Sequence, residues 1–289
     1  MGDSLKSFLI AAAGWFGISH RDAIAAVREA GFGGVEILCK PGFFEHENPA
    51  HVEEVRAALA NWPDAVVTFH APFHTVDLSS TDPAVWDHAV DYVSQSLRVA
   101  SSLRAESATV HTRGGGGPEA KEWADGNFAA FRRALDVLAP IATECNVTLS
   151  VENMPGQRFT AKSEELLDLI EPYPEHVVGV CIDTGHAHLA GDVVQTCGGL
   201  ATRTFVMHIH DNNNQGRDDH AFPGQGTIPW RGVIRALQQN GYRGRNVIEY
   251  VERDAQGNSL AGLREKLQRI RNAIENTGLI RLNGRSETK

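Results

Sequence analysis

Residues 148–186 read TLSVENMPGQRFTAKSEELLDLIEPYPEHVVGVCIDTGH, and this stretch holds one full unit of the pattern that decides the fold. TLSV is a short apolar run that closes on Glu152. A helical segment opens at Ser163 and stops near Pro172, whose ring cannot continue a helix. VGVCI is a second apolar run, and it closes on Asp183. The unit is strand, helix, strand, with a carboxylate at the downstream end of each strand.

The same alternation extends in both directions. Strand-like runs occupy 8–13, 34–39, 65–69, 107–111, 148–152, 178–183, 205–210 and 246–250. They are short and rich in Val and Ile, as strands buried on both faces are. Helical segments separate them. Ser19 followed by Asp22 reads as an N-cap with an acid in the first turn, and Gly31 as the stop. Asp82-Pro83 is a cap followed by proline at the first helical position, opening a helix that runs to position 103 or so. Further segments run from near 119 to 145 with Pro140 inside as a candidate kink, over a short stretch at 185–190, over 230–240 and over 260–276. Eight strands with helices between them predict an α/β protein, a single (β/α)8 TIM barrel over 1–282, with a polar tail (NGRSETK, 283–289) that frays. A doubly wound open sheet is the alternative. No internal repeat, linker or low-complexity block interrupts the chain.

The strand ends separate the two topologies. His70 follows VVTF, His111 follows SATV, Glu152 follows TLSV, Asp183 follows VGVCI, His210 follows FVMHI and Glu249 follows NVI. Six strands each deliver a metal-ligand residue type at the downstream end. Burying one such group requires a partner or a metal, and six at one level imply one shared, charged site. A barrel brings all its C-terminal strand ends to one face, where active sites form; an open sheet does not.

Composition sets limits on partners. Of 289 residues 42% are apolar, enough for a large core. The formal net charge of −9 repels phosphate backbones and no Lys/Arg run offers a local exception, so nucleic acid is not an expected partner. Cys39, Cys145, Cys181 and Cys197 form no C-x-x-C pair and read as free thiols, which predicts a reducing compartment, the cytoplasm. FLIAAAGWF near the N-terminus reads as the first strand and not as a signal peptide, because it is short and preceded by Asp3 and a single Lys. No apolar run approaches the ~20 residues of a membrane span.

Glu152, Asp183, His210 and Glu249 form the expected metal set. Any one of these carboxylates alone could be a ligand, a base or an ion-pair partner. Together, two Glu, one Asp and one His are a hard, oxygen-rich set suited to Mn2+, Mg2+ or Co2+ and tolerant of Zn2+. In DTGH, Asp183 is either a ligand or a helix cap, and His186 swings back over the strand end if a helical turn begins at Thr184. His208 and His210 share one face of their strand. His210, nearer the catalytic end, is the expected ligand, and His208 reads as a barrel-interior histidine bonded to a neighbour. Asp218 and His220, in the loop NNNQGRDDHAFPGQG, project the same way from extended backbone, as second-site ligands or as a solvated loop. His70 and His111 contact metal or substrate, or else are core histidines. Glu36, inside the second strand, and Arg217 are candidate substrate contacts; the plain reading of Arg217 is an exposed side chain. Four glycines at 114–117 lack the Gly-Lys-Ser/Thr of a phosphate loop and read as a flexible lid.

HAPF at 70–73, SVEN at 150–153, CIDTGH at 181–186, HIHDN at 208–212, PGQGTIPW at 223–230 and VIEY at 247–250 carry a family resemblance. Over nearly its whole length the chain resembles the xylose isomerase-like TIM barrels. That superfamily includes sugar phosphate isomerases and epimerases, inosose-processing enzymes and, in AP endonuclease family 2, endonuclease IV. The resemblance implies a divalent cation held by Glu152, Asp183, His210 and Glu249, with the two glutamates also handling protons. Endonuclease IV carries three zinc ions, and its ligand types are matched by His70, His111, Glu152, Asp183, His186, His210, Asp218, His220 and Glu249. The chain departs from the endonuclease in its N-terminal opening, in its acidity, and at Phe73-His74, where the endonuclease has residues that probe DNA.

The resulting expectation is a metal-dependent isomerase or epimerase of a small sugar, keto-polyol or related hydroxy-carbonyl compound, using one ion, with up to three accommodated. Glu152 and Glu249 would move protons on opposite faces of the substrate through a metal-stabilised enediolate, while His186 and Arg217 hold its oxygens. The alternative is a phosphoester hydrolase related to endonuclease IV, with metals ~3.5–4 Å apart. A non-catalytic sugar-binding barrel would have to keep a carboxylate cluster without a cation, which is destabilising. Substrate identity lies in loops 40–48, 112–120, 154–162 and 211–229. Neither it nor the oligomeric state, a homo-oligomer included, is written in the motifs.

Overall fold

Strands β1 (Phe8–Ala11), β2 (Gly34–Leu38), β3 (Val66–His70), β4 (Ser107–Val110), β5 (Thr148–Glu152), β6 (Val178–Asp183), β7 (Thr204–Ile209) and β8 (Arg245–Ile248) pair in parallel in chain order. β8 returns to β1 and closes the barrel, which excludes the open sheet. The structure is a computed structural model describing residues 5–11, 17–74, 76–112, 125–156, 160–250 and 259–282. The glycines at 114–117, residues 157–159 of the fifth loop and the tail at 283–289 lie outside the described residues.

Helices α1 (His20–Glu29), α2 (Pro49–Ala60), α3 (Pro83–Ser102), α4 (Asp125–Glu144), α5 (Ser163–Ile170), α6 (Thr184–Ala190), α7 (Val193–Leu200), α8 (Trp230–Gln239) and α9 (Leu260–Thr277) connect the strands. Their ends follow the capping chemistry. Ser19 Oγ accepts from Asp22 N, Asp82 accepts from Ala84 N and Val85 N, and Gly31 turns the chain at φ +86°. Pro140 lies inside α4. Two helices, α2 and α7, were not anticipated individually. Each carries a readable start: Asn48 caps Ala50 N ahead of Pro49, and Asp192 caps Val194 N and Gln195 N.

Each strand presents alternate residues to two environments. Val35, Ile37, Phe69, Val110, Leu149, Val151, Ile182 and Ile209 join the large core beneath the helices. Leu9, Ala11, Cys181, Val206 and Val247 form a separate small cluster inside the barrel. The interior on the β2–β5 side is polar instead, with Glu36, Thr68, Ser107, Thr109 and Ser150 all buried. Cys39, Cys181 and Cys197 are buried free thiols and Cys145 is partly buried. Among the described residues no helix is long and apolar enough to cross a membrane.

Candidate metal centre

The strand ends converge as the barrel requires. Glu152, at the end of β5, Asp183, at the end of β6, His208, in β7, and Glu249, just past β8, each offer a ligand atom, all within 4.8 Å of one another. His208 Nδ1 lies 3.4 Å from Glu152 Oε1 and 3.2 Å from Glu249 Oε2. The other Glu152 oxygen faces His111 Nε2 at 2.8 Å and His70 Nε2 at 3.5 Å. His70 Nδ1 lies 2.9 Å from the Ala71 carbonyl, which can only accept, so Nε2 is the nitrogen left for the pocket. Phe73 stands beside His70 and His111, its ring 4.8 Å and 4.4 Å from theirs, as an apolar wall.

A second cluster sits beside the first. His210, Asp218 and His220 gather there, with His186 Nε2 and His220 Nδ1 both 3.2 Å from Asp218 Oδ2. The rings of His210 and His220 stack at 4.1 Å and 3°. Asp183 and Glu249 touch both clusters: His210 Nε2 is 2.9 Å from Asp183 Oδ1, and His220 Nε2 is 3.7 Å from Glu249 Oε1. Gly185 makes room for His210, since a Cβ there would fall 1.9 Å from the ring.

Local structure fixes these positions. Asp183 both faces the quartet and caps α6, accepting from His186 N at 2.7 Å. Asn153 ties β5 to β6, accepting from Asp183 N and donating to Asp183 O, and its carbonyl accepts from His186 Nδ1. The loop bearing Asp218 and His220 is knotted by Asp211, which accepts from the backbone N–H of Asn212, Gly224 and Ile228 and from Trp230 Nε1. Within that loop His220 adopts φ +47°, a strained conformation of the kind that collects at functional sites.

The electrostatics couple buried carboxylates to the imidazoles around them. Burial alone would raise the Glu152 and Glu249 carboxyls; His111 and His208 instead pull Glu152, and His208 and His220 pull Glu249, well below the usual range. Burial lowers His111, while at His70, His186, His208 and His220 neighbouring carboxylates outweigh it. His186, between Asp183 and Asp218, rises to about 10, and His220, beside Glu249, to about 9. His208 also rises, against Glu36, Glu152 and Glu249. Buried polar atoms without hydrogen bonds line both clusters: Glu152 Oε2, His111 Nε2, His208 Nδ1, His210 Nδ1 and Asp218 Oδ1. They lie at ion-pair distances but off hydrogen-bonding directions. Three carboxylates and an imidazole in this state fit a hard divalent cation, which would compensate their charge and occupy their lone pairs.

The structure sorts the expected residues. Glu152, Asp183 and Glu249 come together, with His70 and His111 against Glu152, and His186, Asp218 and His220 as a second group. His210 and His208 exchange places. The residue that meets Glu152 and Glu249 is His208, and His210 turns to Asp183 and the second cluster. The reason is register: β7 stops pairing at Ile209, and Asp183 pairs with His208. Glu36 is no rim residue. It lies under His208, 1% exposed, out of reach of a substrate entering from above. Arg217 points to solvent, 73% exposed and paired with Asp219, away from both clusters. Asn153 and Asp211 were missed; both are buried polar residues, Asn153 directly after β5 and Asp211 two residues past β7.

Known proteins are similar to the chain in sequence or in fold. The chain is 27% identical over 241 residues to the uncharacterized protein MJ1311 of Methanocaldococcus jannaschii, covering 80% of this chain and 79% of that one. It is 27% identical over 259 residues to the probable endonuclease 4 of Mycobacterium leprae, covering 86% and 96%. A solved D-psicose 3-epimerase with D-tagatose, from Clostridium cellulolyticum H10, shares the fold with a TM-score of 0.77 at 18% identity, covering 94% of this chain and 98% of that one. Residues 24–273 match the family described as xylose isomerase-like TIM barrel. With its closed barrel and a match over most of its length, the chain belongs to the xylose isomerase-like TIM barrel family.

Proposed function

We propose that the protein is a divalent-metal-dependent isomerase or epimerase of a small sugar, keto-polyol or related hydroxy-carbonyl compound. One observation carries the reading: Glu152 and Glu249 enter the same pocket from β5 and from the end of β8, and both face His208 Nδ1, at 3.4 Å and 3.2 Å. Two carboxylates reaching one place from separate strands can take a proton from one face of a carbon and return one to the other. Both are held ionised, as an acceptor must be. A cation bound by Glu152, Asp183, His208 and Glu249 would supply Lewis-acid polarisation of a substrate oxygen. His186, fixed through Nδ1 to the Asn153 carbonyl and through Nε2 to Asp218, stands beside the quartet, and Phe73 walls the His70–His111 side. The solved D-psicose 3-epimerase of like fold is consistent with this class.

The test is proton exchange. Wild-type protein incubated with ketoses and inososes in heavy water should incorporate deuterium at carbon. Glu249→Gln should abolish the exchange and retain the thermal unfolding profile; normal exchange in that variant would remove Glu249 from the chemistry.

The second cluster favours one further reading. His210, Asp218 and His220, with His186 beside them, could hold additional ions, and a relative is a probable endonuclease 4. Such a centre would hydrolyse a small phosphoester, because an acidic chain with no basic run offers DNA no cradle. Metal content per chain separates the two: one ion supports the isomerase, three support the hydrolase.

A further inference from the structure

Beneath the quartet, Glu36 of β2 reaches across the barrel to His208 of β7. Its carboxylate straddles His208 Nε2, with Oε1 at 3.1 Å and Oε2 at 3.3 Å. Thr68, registered beside Glu36 on β3, donates its hydroxyl to Glu36 Oε2 at 2.9 Å. All three side chains are buried. Ser107 continues the polar row on β4, next to Thr68, so this side of the barrel gives a buried carboxylate hydroxyl neighbours, whereas Leu9, Ala11, Cys181, Val206 and Val247 form the apolar part of the interior.

The two nitrogens of the His208 ring therefore meet different surroundings. Nε2 faces a carboxylate that is itself held in place. Nδ1 faces Glu152 and Glu249 and makes no hydrogen bond. A neutral imidazole has one proton to place and one lone pair to offer. With Glu36 accepting at Nε2, the lone pair falls on Nδ1 and points into the quartet. Glu36 cannot join the quartet itself, because the imidazole stands between them.

We propose that Glu36 is a positioning residue for the metal centre: it holds His208 as the Nε2–H tautomer with Nδ1 aimed at the quartet, and Thr68 holds Glu36. The role rests on the metal-centre reading and adds to it the group that prepares the ligand. Partners of this kind fix ring orientation and raise ligand basicity, and losing one costs 10–100-fold in metal affinity.

Chelator competition with Co2+, read from the visible absorption of the bound ion, measures that affinity without turnover. Glu36→Ala should weaken Co2+ binding roughly 10–100-fold and change the absorption band. Glu36→Gln keeps an oxygen to accept from Nε2–H and gains an amide that can donate to Thr68 Oγ1 but loses the charge that raises ligand basicity, so its affinity should fall less than that of Glu36→Ala. Wild-type affinity in Glu36→Ala, or affinity in Glu36→Gln as low as in Glu36→Ala, overturns the proposal. Should Glu36→Ala fail to fold, the wild-type protein answers directly. In the zinc-loaded form with 15N-labelled histidine, His208 should show a protonated Nε2 and an unprotonated Nδ1; the reverse tautomer overturns the proposal. Wild type that binds no divalent ion refutes the metal-centre reading itself, an outcome distinct from ion-binding wild type matched by its Glu36 variants.

Discussion

Replacing Gly185 with alanine should dislodge His210 and spare His208. The new Cβ would stand 1.9 Å from His210 Cε1, 2.5 Å from Nδ1 and 2.7 Å from Nε2, where ordinary contact begins at 3.4 Å. The ring must retreat by roughly 1.5 Å, and dispersion contacts leave it no slack. It is fully buried, stacked on His220 at 4.1 Å and bonded to Asp183 at 2.9 Å. Such a retreat carries the Asp183 contact out of hydrogen-bond range. Loss of a bond to a charged group costs roughly 1.5–3 kcal/mol and overpacking ~1–3 kcal/mol, about 2.5–6 kcal/mol together. For a chain of this size that is a fall in Tm on the order of 10 °C, within the stability of an ordinary domain. Thermal unfolding in chelator reads the cost, and metal content per chain reads the consequence. A one-ion centre keeps its ion, since His208 lies on the other side of Asp183; a three-ion centre loses ions. A variant melting within about 2 °C of wild type would show that His210 is not pinned between Gly185 and Asp183, and the reasoning would fail.

Asp211→Asn should loosen the loop over 212–229. The carboxylate accepts four donors and an amide offers one acceptor oxygen, so at least one buried N–H faces another, at ~1–3 kcal/mol each; limited proteolysis should find new cleavage in this loop, and an unchanged pattern would count against the knot. Metal-free protein should lose stability as pH rises from neutrality towards 10. His186 and His220 are raised to about 10 and about 9, so the stability they contribute is complete below an unfolded pKa of ~6.5 and is lost through those folded values; urea midpoints at several pH values check it, and a flat profile refutes it.

The barrel was readable because each of its eight strands is announced by a short apolar run, and parallel strands buried on both faces leave little else those runs can be. The site was readable because a barrel rim is the only place six strand-terminal acids and histidines can share. The depth of each residue along its strand was harder. Period two puts His208 and His210 on one face, and only the pairing of β7 with β6, which matches His208 to Asp183 and ends at Ile209, says which meets the quartet. Glu36 took its role from a contact spanning 172 positions of sequence, which no local pattern reports. Arg217 looked like an oxygen clamp because it sits amid loop residues that do enter the site, but Asp219, two residues on, takes it instead.

How the two clusters relate follows from their charge. Glu36, Glu152, Asp183, Asp218 and Glu249 bring five formal negative charges into one largely buried region. One divalent ion in the quartet leaves three of them uncompensated, which a buried site does not tolerate. The second cluster can supply two of those three without further metal, because His186 and His220 are raised to about 10 and about 9 in the metal-free protein and so carry protons there. Filling that cluster with ions instead requires the same histidines to give up their protons, since a metal ligand must be unprotonated. Proton and metal thus compete for one set of side chains, and Asp183 and Glu249, which touch both clusters, couple the outcomes. The stability of the loaded protein should report which one prevails: with one ion it should still decline as pH rises above neutrality, at lower pH than in the metal-free protein because the ion takes up part of the Asp183 and Glu249 charge that raises the histidines, and with three it should not.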